Sequence, residues 1–229
     1  KGRYVANHVP LRLGENKICV RAADTKGNVA EGTVVVSSHT MEPLITLSRG
    51  PMVGLAPFET TLTTSTRLDC NQISLSDTGP SKLSYRKGED SCEWTIKAGK
   101  PGVYTVKARE NYVGKYFDTI AIVVFERCEL DNLLRAKWAH LGNALRNNDI
   151  EGALRDIASS RVDQYRRVFS AMTPEKRSEF TSEMQDIQLI EMNGGCVKYD
   201  IQTTREGRKL SFLLNFIMDD NGFWKIEFF

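Results

Sequence analysis

At 229 residues the chain is long enough for two domains, or two and a part, and its 41% apolar content is enough for ordinary cores. Thirty-one basic residues against 29 acidic ones leave a net charge of +2 with no block of like charges, which removes the electrostatic case for nucleic acid; no apolar run approaches the roughly 18 residues of a membrane span. The five cysteines (Cys19, Cys70, Cys92, Cys128 and Cys196) include no Cys-x-x-Cys and the three histidines lie far apart, which excludes a zinc site of standard spacing; cysteine usage leans towards an oxidising compartment.

Residues 1–38 read as strands throughout. Tyr4-Val5-Ala6 is a short strand, Lys17–Ala23 a longer one and Thr33–Val36 the last. Ile18, Val20 and Ala22 alternate with Lys17, Cys19 and Arg21, the pattern of a half-buried strand, and Asp24 to Asn28 supplies turn chemistry. Asp24, Asn28 and Glu15 are too few oxygens for a calcium loop. The run from Gly14-Glu15-Asn16 through Ala22-Ala23-Asp24 to Gly27-Asn28 resembles the second half of a bacterial immunoglobulin-like module. The resemblance implies a partial module, repeated in secreted and surface proteins. Three strands cannot bury a sandwich core alone, so upstream domains of the same polypeptide, or a neighbour, are expected to cover the face of Ile18, Val20, Val34 and Val36. No signal peptide is visible, and Lys1 is not read as the natural start.

His39-Thr40-Met41-Glu42-Pro43 reads as a linker, and residues 44–125 as a second β domain. Strands are predicted at Leu44–Leu47, Glu59–Thr64, Gln72–Ser76, Cys92–Lys97, Val103–Glu110 and Asp118–Phe125. Turns punctuate them at Asp77-Thr78-Gly79-Pro80, Lys87-Gly88-Glu89-Asp90 and Lys100-Pro101-Gly102. Cys70 and Cys92 lie in this block, 22 positions apart, and are predicted to form a disulfide. Gly54-Leu55-Ala56-Pro57-Phe58-Glu59-Thr60 and Pro101-Gly102-Val103-Tyr104-Thr105-Val106 resemble the PKD domain, another extracellular immunoglobulin-like module, although that family's central Trp-Asp-Phe-Gly-Asp-Gly stretch is missing. Lys82, Arg86 and Lys87 around Tyr85 read as a solvated loop, and Trp94 as an inward core residue rather than a sugar-stacking platform.

Residues 126–229 change to helical spacing. Leu130, Leu133, Leu134, Trp138, Leu141 and Leu145 mark an amphipathic helix that Asn147-Asn148-Asp149 ends. Ile150–Ile157, Arg161–Met172 and Pro174–Met184 are three more, the last begun by Thr173-Pro174. Four strands follow at Ile187–Met192, Val197–Thr203, Lys209–Met218 and Phe223–Phe229, with turns at Gly194-Gly195 and Asn221-Gly222. This order, with Asn148-Asp149-Ile150-Glu151-Gly152-Ala153-Leu154 and Asp220-Asn221-Gly222-Phe223-Trp224-Lys225-Ile226, resembles the nuclear-transport-factor-like superfamily, which includes SnoaL cyclases and ketosteroid isomerases. That resemblance implies a curved sheet wrapped around a long helix into a cone, which in some members holds a small ligand.

Catalysis in such a cone needs an ionisable group inside it. The alternation instead places Val197, Tyr199, Ile201, Phe212, Leu214, Phe216, Met218, Trp224, Ile226 and Phe228 inward, with no carboxylate among them. His140, Tyr165, Tyr199 and Trp224 are the candidate pocket-lining residues, and Glu183 or Asp186 could swing over the open end. No catalytic residue, metal site or cofactor is assigned. A buried Asp, Glu or His lining a wet cavity would favour an enzyme; a dry core packed by Phe212, Phe216 and Trp224 would favour a structural role.

The fold expected is therefore multidomain: immunoglobulin-like sandwich modules at 1–38 and 44–125, then an α+β cone at 126–229 with helices packed on a curved antiparallel sheet. The function expected is that of a non-catalytic C-terminal part of a bacterial secreted, periplasmic or cell-surface protein, with an unidentified protein or glycan as partner. The alternatives are a small-molecule-binding or enzymatic cone, and carbohydrate binding by the sandwich.

Overall fold

The computed structural model describes residues 6–23, 28–39, 44–49, 52–89, 92–112, 114, 116–183, 187–193, 195–205, 207–219 and 223–229, with backbone only at Ala23, Arg49 and Arg205. The expected strand at Tyr4-Val5, the turn at 24–27, linker residues 40–43, Asp90, Asp186, Gly194 and the hairpin turn at 220–222 lie outside the described residues. The chain is a β-rich α+β protein with fourteen strands and four α-helices among the described residues, and it divides into two compact units, Lys1–Glu126 and Arg127–Phe229.

The first unit opens with β1 (Gly14–Ala23) and β2 (Val29–Ser38), an antiparallel ribbon with no third strand among the described residues. Its register sets Ile18 opposite Val34 and Asn16 opposite Val36, so the apolar residues share one face; Arg21 and Glu31 pair across the other at 3.3 Å. Val20 and Val34 remain 46% and 55% exposed. A lone two-stranded ribbon is marginal in water, so this face is a cost that nothing among the described residues offsets.

Eight strands follow: β3 (Ile45–Arg49), β4 (Val53–Leu55), β5 (Phe58–Thr66), β6 (Ile73–Thr78), β7 (Ser84–Lys87), β8 (Glu93–Ala98), β9 (Gly102–Glu110) and β10 (Phe117–Phe125). They form two four-stranded sheets, ordered β3-β5-β8-β7 and β4-β10-β9-β6. Every neighbour is antiparallel except β4, which runs parallel to β10. The inward residues of both sheets make one hydrophobic cluster, in which Leu47, Leu62, Tyr104, Val106, Ala108 and Ile120 are fully buried. Each large aliphatic side chain placed there contributes about 1.5–3 kcal/mol.

Trp94 points into this cluster at 6% exposure. Two strands were not legible from pattern: β4 lies where no strand is predicted, and β7 carries Tyr85, Arg86 and Lys87 of the stretch read as a solvated loop. β7 pairs with β8, and its side chains add polar ties: Tyr85 donates to Asp77 at 3.0 Å and Lys87 to Asn71 at 2.8 Å. Asn7 serves the free side of β10, its side-chain amide accepting from the Ala121 N–H and donating to the Ala121 carbonyl at 2.7 and 2.8 Å.

The second unit begins with α1 (Arg127–Arg146), whose buried face is Leu130, Leu134, Trp138, Leu141, Ala144 and Leu145. It ends where Asn148 adopts φ +59°, with Asp149 N–H bonding Ala144 O and Asn148 N–H bonding Leu145 O, a Schellman closure. Asp149 then caps α2 (Ile150–Leu154) by accepting from Gly152 N–H at 2.8 Å. Helices α3 (Val162–Ala171) and α4 (Pro174–Glu183) follow. The strands β11 (Ile187–Asn193), β12 (Cys196–Arg205), β13 (Arg208–Met218) and β14 (Trp224–Phe228) form an antiparallel meander in chain order.

Val197, Tyr199, Ile201, Leu214, Phe216 and Ile226 are completely buried, and Trp224 is 3% exposed. Phe212 and Phe228, expected inward, are 41% and 37% exposed, and Met218 is half-buried. Pairing explains Phe212: β14 covers β13 only from Asn215 to Met218, so Phe212 lies on a length of β13 with a strand on one side alone. A register shift between Asn215 and Phe216 breaks the alternation there.

Candidate functional site

Helix α1 sets out the chemistry of the second unit in three stripes. Its core stripe is flanked on one side by Arg135, Ala139, Gly142 and Arg146, at four-, three- and four-residue spacing, and on the other by Lys137 and His140.

The first flank opens into a groove of about 360 Å³. Arg135, Ala139, Gly142 and Arg146 form one side with the edges of Trp138 and Leu141; Phe180 and Thr181 of α4 and Ile187 of β11 form the other. A methyl added at Gly142 would meet nothing within 4 Å, so the glycine leaves open space on the floor. The two arginines differ. Arg135 donates to Asp131 at 2.9 Å and to the Ile187 carbonyl at 2.7 Å, and Asp131 also accepts from Tyr199 at 2.8 Å. Arg146 donates to the neutral amide of Asn143 at 2.5 Å and makes no ion pair with any described residue.

The second flank holds a buried carboxylate. Asp156 is 6% exposed, receives Lys137 at 2.9 Å and lies 2.6 Å from His140 Nδ1. Lys225 donates to the Arg155 carbonyl beside it; burial, together with the charge of Lys137, lowers the pKa of Lys225 below the usual lysine value. This cluster ties α1 to the chain after α2, where Asp156 O accepts from Ile226 N–H at 2.7 Å.

None of the four candidate residues is among those lining the groove. His140 belongs to the Asp156 cluster. Tyr165 is buried, stacks on Phe229 at 4.9 Å and accepts from the Phe229 N–H at 3.1 Å; burial raises its pKa. Tyr199 is buried against Asp131, and desolvation with that carboxylate raises its pKa well above the usual tyrosine value. Trp224 is buried in the core with its indole N–H unpartnered among the described residues. Glu183 ends α4 but does not line the groove. Among the described residues no group of three or more His, Cys, Asp or Glu could hold a metal ion.

The signal for the groove was present in the sequence as a second helical stripe in which two small residues separate two arginines. Asp156 gave none, because it sits outside any regular element and its partners lie 16 and 19 positions away.

In the first unit Cys70 and Cys92 are joined by a disulfide, with their Cα atoms 5.1 Å apart. Cys19, Cys128 and Cys196 are free thiols. No described helix is long and apolar enough to cross a membrane. Comparison with protein-family models and with curated proteins returns no match.

Proposed function

We propose that this chain is a non-catalytic stretch of a bacterial secreted, periplasmic or surface protein, in which immunoglobulin-like modules act as spacers and the α+β unit binds or assembles. One observation carries the reading: the strand orders β3-β5-β8-β7 and β4-β10-β9-β6 correspond to the A-B-E-D and G-F-C sheets of an immunoglobulin sandwich, with the short β4 added beside β10. Tyr104 supports it. This tyrosine lies near the start of the strand equivalent to F, is fully buried, and donates back to the Lys100 carbonyl at 2.8 Å, as in the tyrosine corner of that fold. The Cys70–Cys92 disulfide favours an oxidising compartment. In the α+β unit the sheet face that would line a catalytic cone is filled by Tyr199, Leu214, Phe216 and Trp224, which favours binding or assembly over catalysis.

The test is thiol mapping of the chain carried to a bacterial periplasm by an export signal. The proposal expects native protein with Cys19, Cys128 and Cys196 alkylating and Cys70 and Cys92 protected. Five reactive thiols in the folded, exported protein contradict it.

A second reading, glycan binding by the β unit, is favoured by exposed aromatics where β9 turns into β10: Tyr112 is 79% exposed and Phe117 55%. Tyr112→Ala should then lower binding on a glycan array, and an array without signal removes this reading.

A further inference from the structure

We propose that the groove beside α1 binds a small amphiphilic carboxylate, with its head on Arg146 and its apolar tail running over Gly142 towards Phe180 and Ile187. The inference rests on reading the α+β unit as a binding domain and specifies what it binds. The volume, about 360 Å³, is at the small end of the range of ligand pockets. The wall is mixed, its apolar part made by Trp138, Leu141, Phe180 and Ile187 and its polar part by Thr181 and the two arginines. Among the described residues the charge without a counter-charge is at one end. Arg135 is neutralised by Asp131 and turned towards the Ile187 carbonyl, whereas Arg146 is exposed and among the described residues has only the Asn143 amide. Arg146 and Arg135 stand eleven residues apart on one helix face, about 16 Å along the axis, so an anion on Arg146 leaves the length of the groove for a tail. A guanidinium presents a fork that a carboxylate matches with two hydrogen bonds.

Gly142 supports the same conclusion from the backbone. Glycine inside a helix costs about 1 kcal/mol relative to alanine, and here no close contact requires it, since a methyl at this position meets open space. Its absence of a side chain keeps the groove floor low.

The experiment is isothermal titration of the full chain with decanoate and with decanol, its neutral counterpart. Expected is one saturable decanoate site, with decanol weaker by roughly tenfold or more, the usual worth of a charge-assisted hydrogen bond. Arg146→Gln should erase the difference between the two ligands while leaving decanol binding in place. Gly142→Leu, or Ala139→Leu if that variant does not fold, should abolish both while the melting temperature holds. No saturable decanoate binding up to millimolar concentration overturns the proposal. So does equal binding of decanoate and decanol to the wild type, or decanoate binding unchanged in a folded Gly142→Leu or Ala139→Leu protein. The thiol map of the exported chain is independent of these titrations, so a groove that binds nothing leaves the module reading standing on its own result.

Discussion

Arg177 ties α4 to the end of α3 and to the turn after α1. It is 8% exposed and has no carboxylate partner among the described residues. Its Nε donates to Phe169 O at 2.9 Å, Nη2 to Met172 O at 2.8 Å and Nη1 to Asn148 Oδ1 at 2.8 Å. Two of those acceptors are carbonyls at the end of α3, where the helix dipole favours a cation. Arg177→Met should therefore cost about 1–3 kcal/mol in urea denaturation, since the buried Phe169 carbonyl loses its charged donor while the Met172 carbonyl and the Asn148 amide can turn to water. Arg177→Lys should not rescue it, because one ammonium cannot reproduce the fork. Asp156→Asn leaves Lys137 without its counter-charge and removes the carboxylate beside His140; with those two side chains 23% and 29% exposed, solvent moderates the loss to about 1–3 kcal/mol.

The tyrosines give a pH signature. Burial and a carboxylate partner raise Tyr85 against Asp77 and Tyr199 against Asp131. Each holds its proton more tightly in the folded chain than in the unfolded one. Their contribution to stability is thus fully present below the ordinary tyrosine pKa of about 10 and is lost as pH rises through the folded values. Chemical denaturation across the alkaline range should show stability falling, and the Tyr85→Phe, Tyr199→Phe double variant should flatten that decline.

Among the elements, α1 was legible from spacing because its core stripe is regular; the structure gives Arg127–Arg146 with Leu130, Leu134, Leu141 and Leu145 buried. Leu133, counted with that stripe, is 41% exposed, one position off the buried face. Strand faces were legible wherever a strand has neighbours on both sides. On β12, Val197, Tyr199 and Ile201 are all at 0% exposure. On β13, Phe212 breaks the rule because alternation states which way a side chain points and not whether anything lies there to cover it. The short strands β4 and β7 escaped because three or four residues carry too little alternation to register. The groove and the Asp156 cluster depend on which flank of α1 meets α4 and which meets the chain beyond α2, information that no local pattern holds. At this scale Gly142→Ala should raise the melting temperature, worth about 0.5–1 kcal/mol, since the new methyl has room and the helix loses its most flexible residue. Gly54 is the contrast: a methyl there would meet the Phe58 ring at 1.9 Å, so Gly54→Ala should destabilise.

At the scale of the whole molecule, two units with separate cores stand in one chain, and only the first is closed by a disulfide. Each has its own device for stability. The β unit relies on two sheets sharing one cluster and on the Cys70–Cys92 link across a 22-residue loop, worth about 3 kcal/mol by the chain-entropy account. The α+β unit relies on a filled sheet face and on buried polar ties at Arg177, Asp131 and Asp156. The central proposal is that a disulfide-closed β unit and a separately built α+β unit make up this chain. Scanning calorimetry of the intact protein with and without a thiol reductant tests it most directly. The account predicts two transitions, with the reductant lowering one of them by roughly 10 °C or more and leaving the other in place. A single cooperative transition, or two transitions that the reductant does not move, would contradict it.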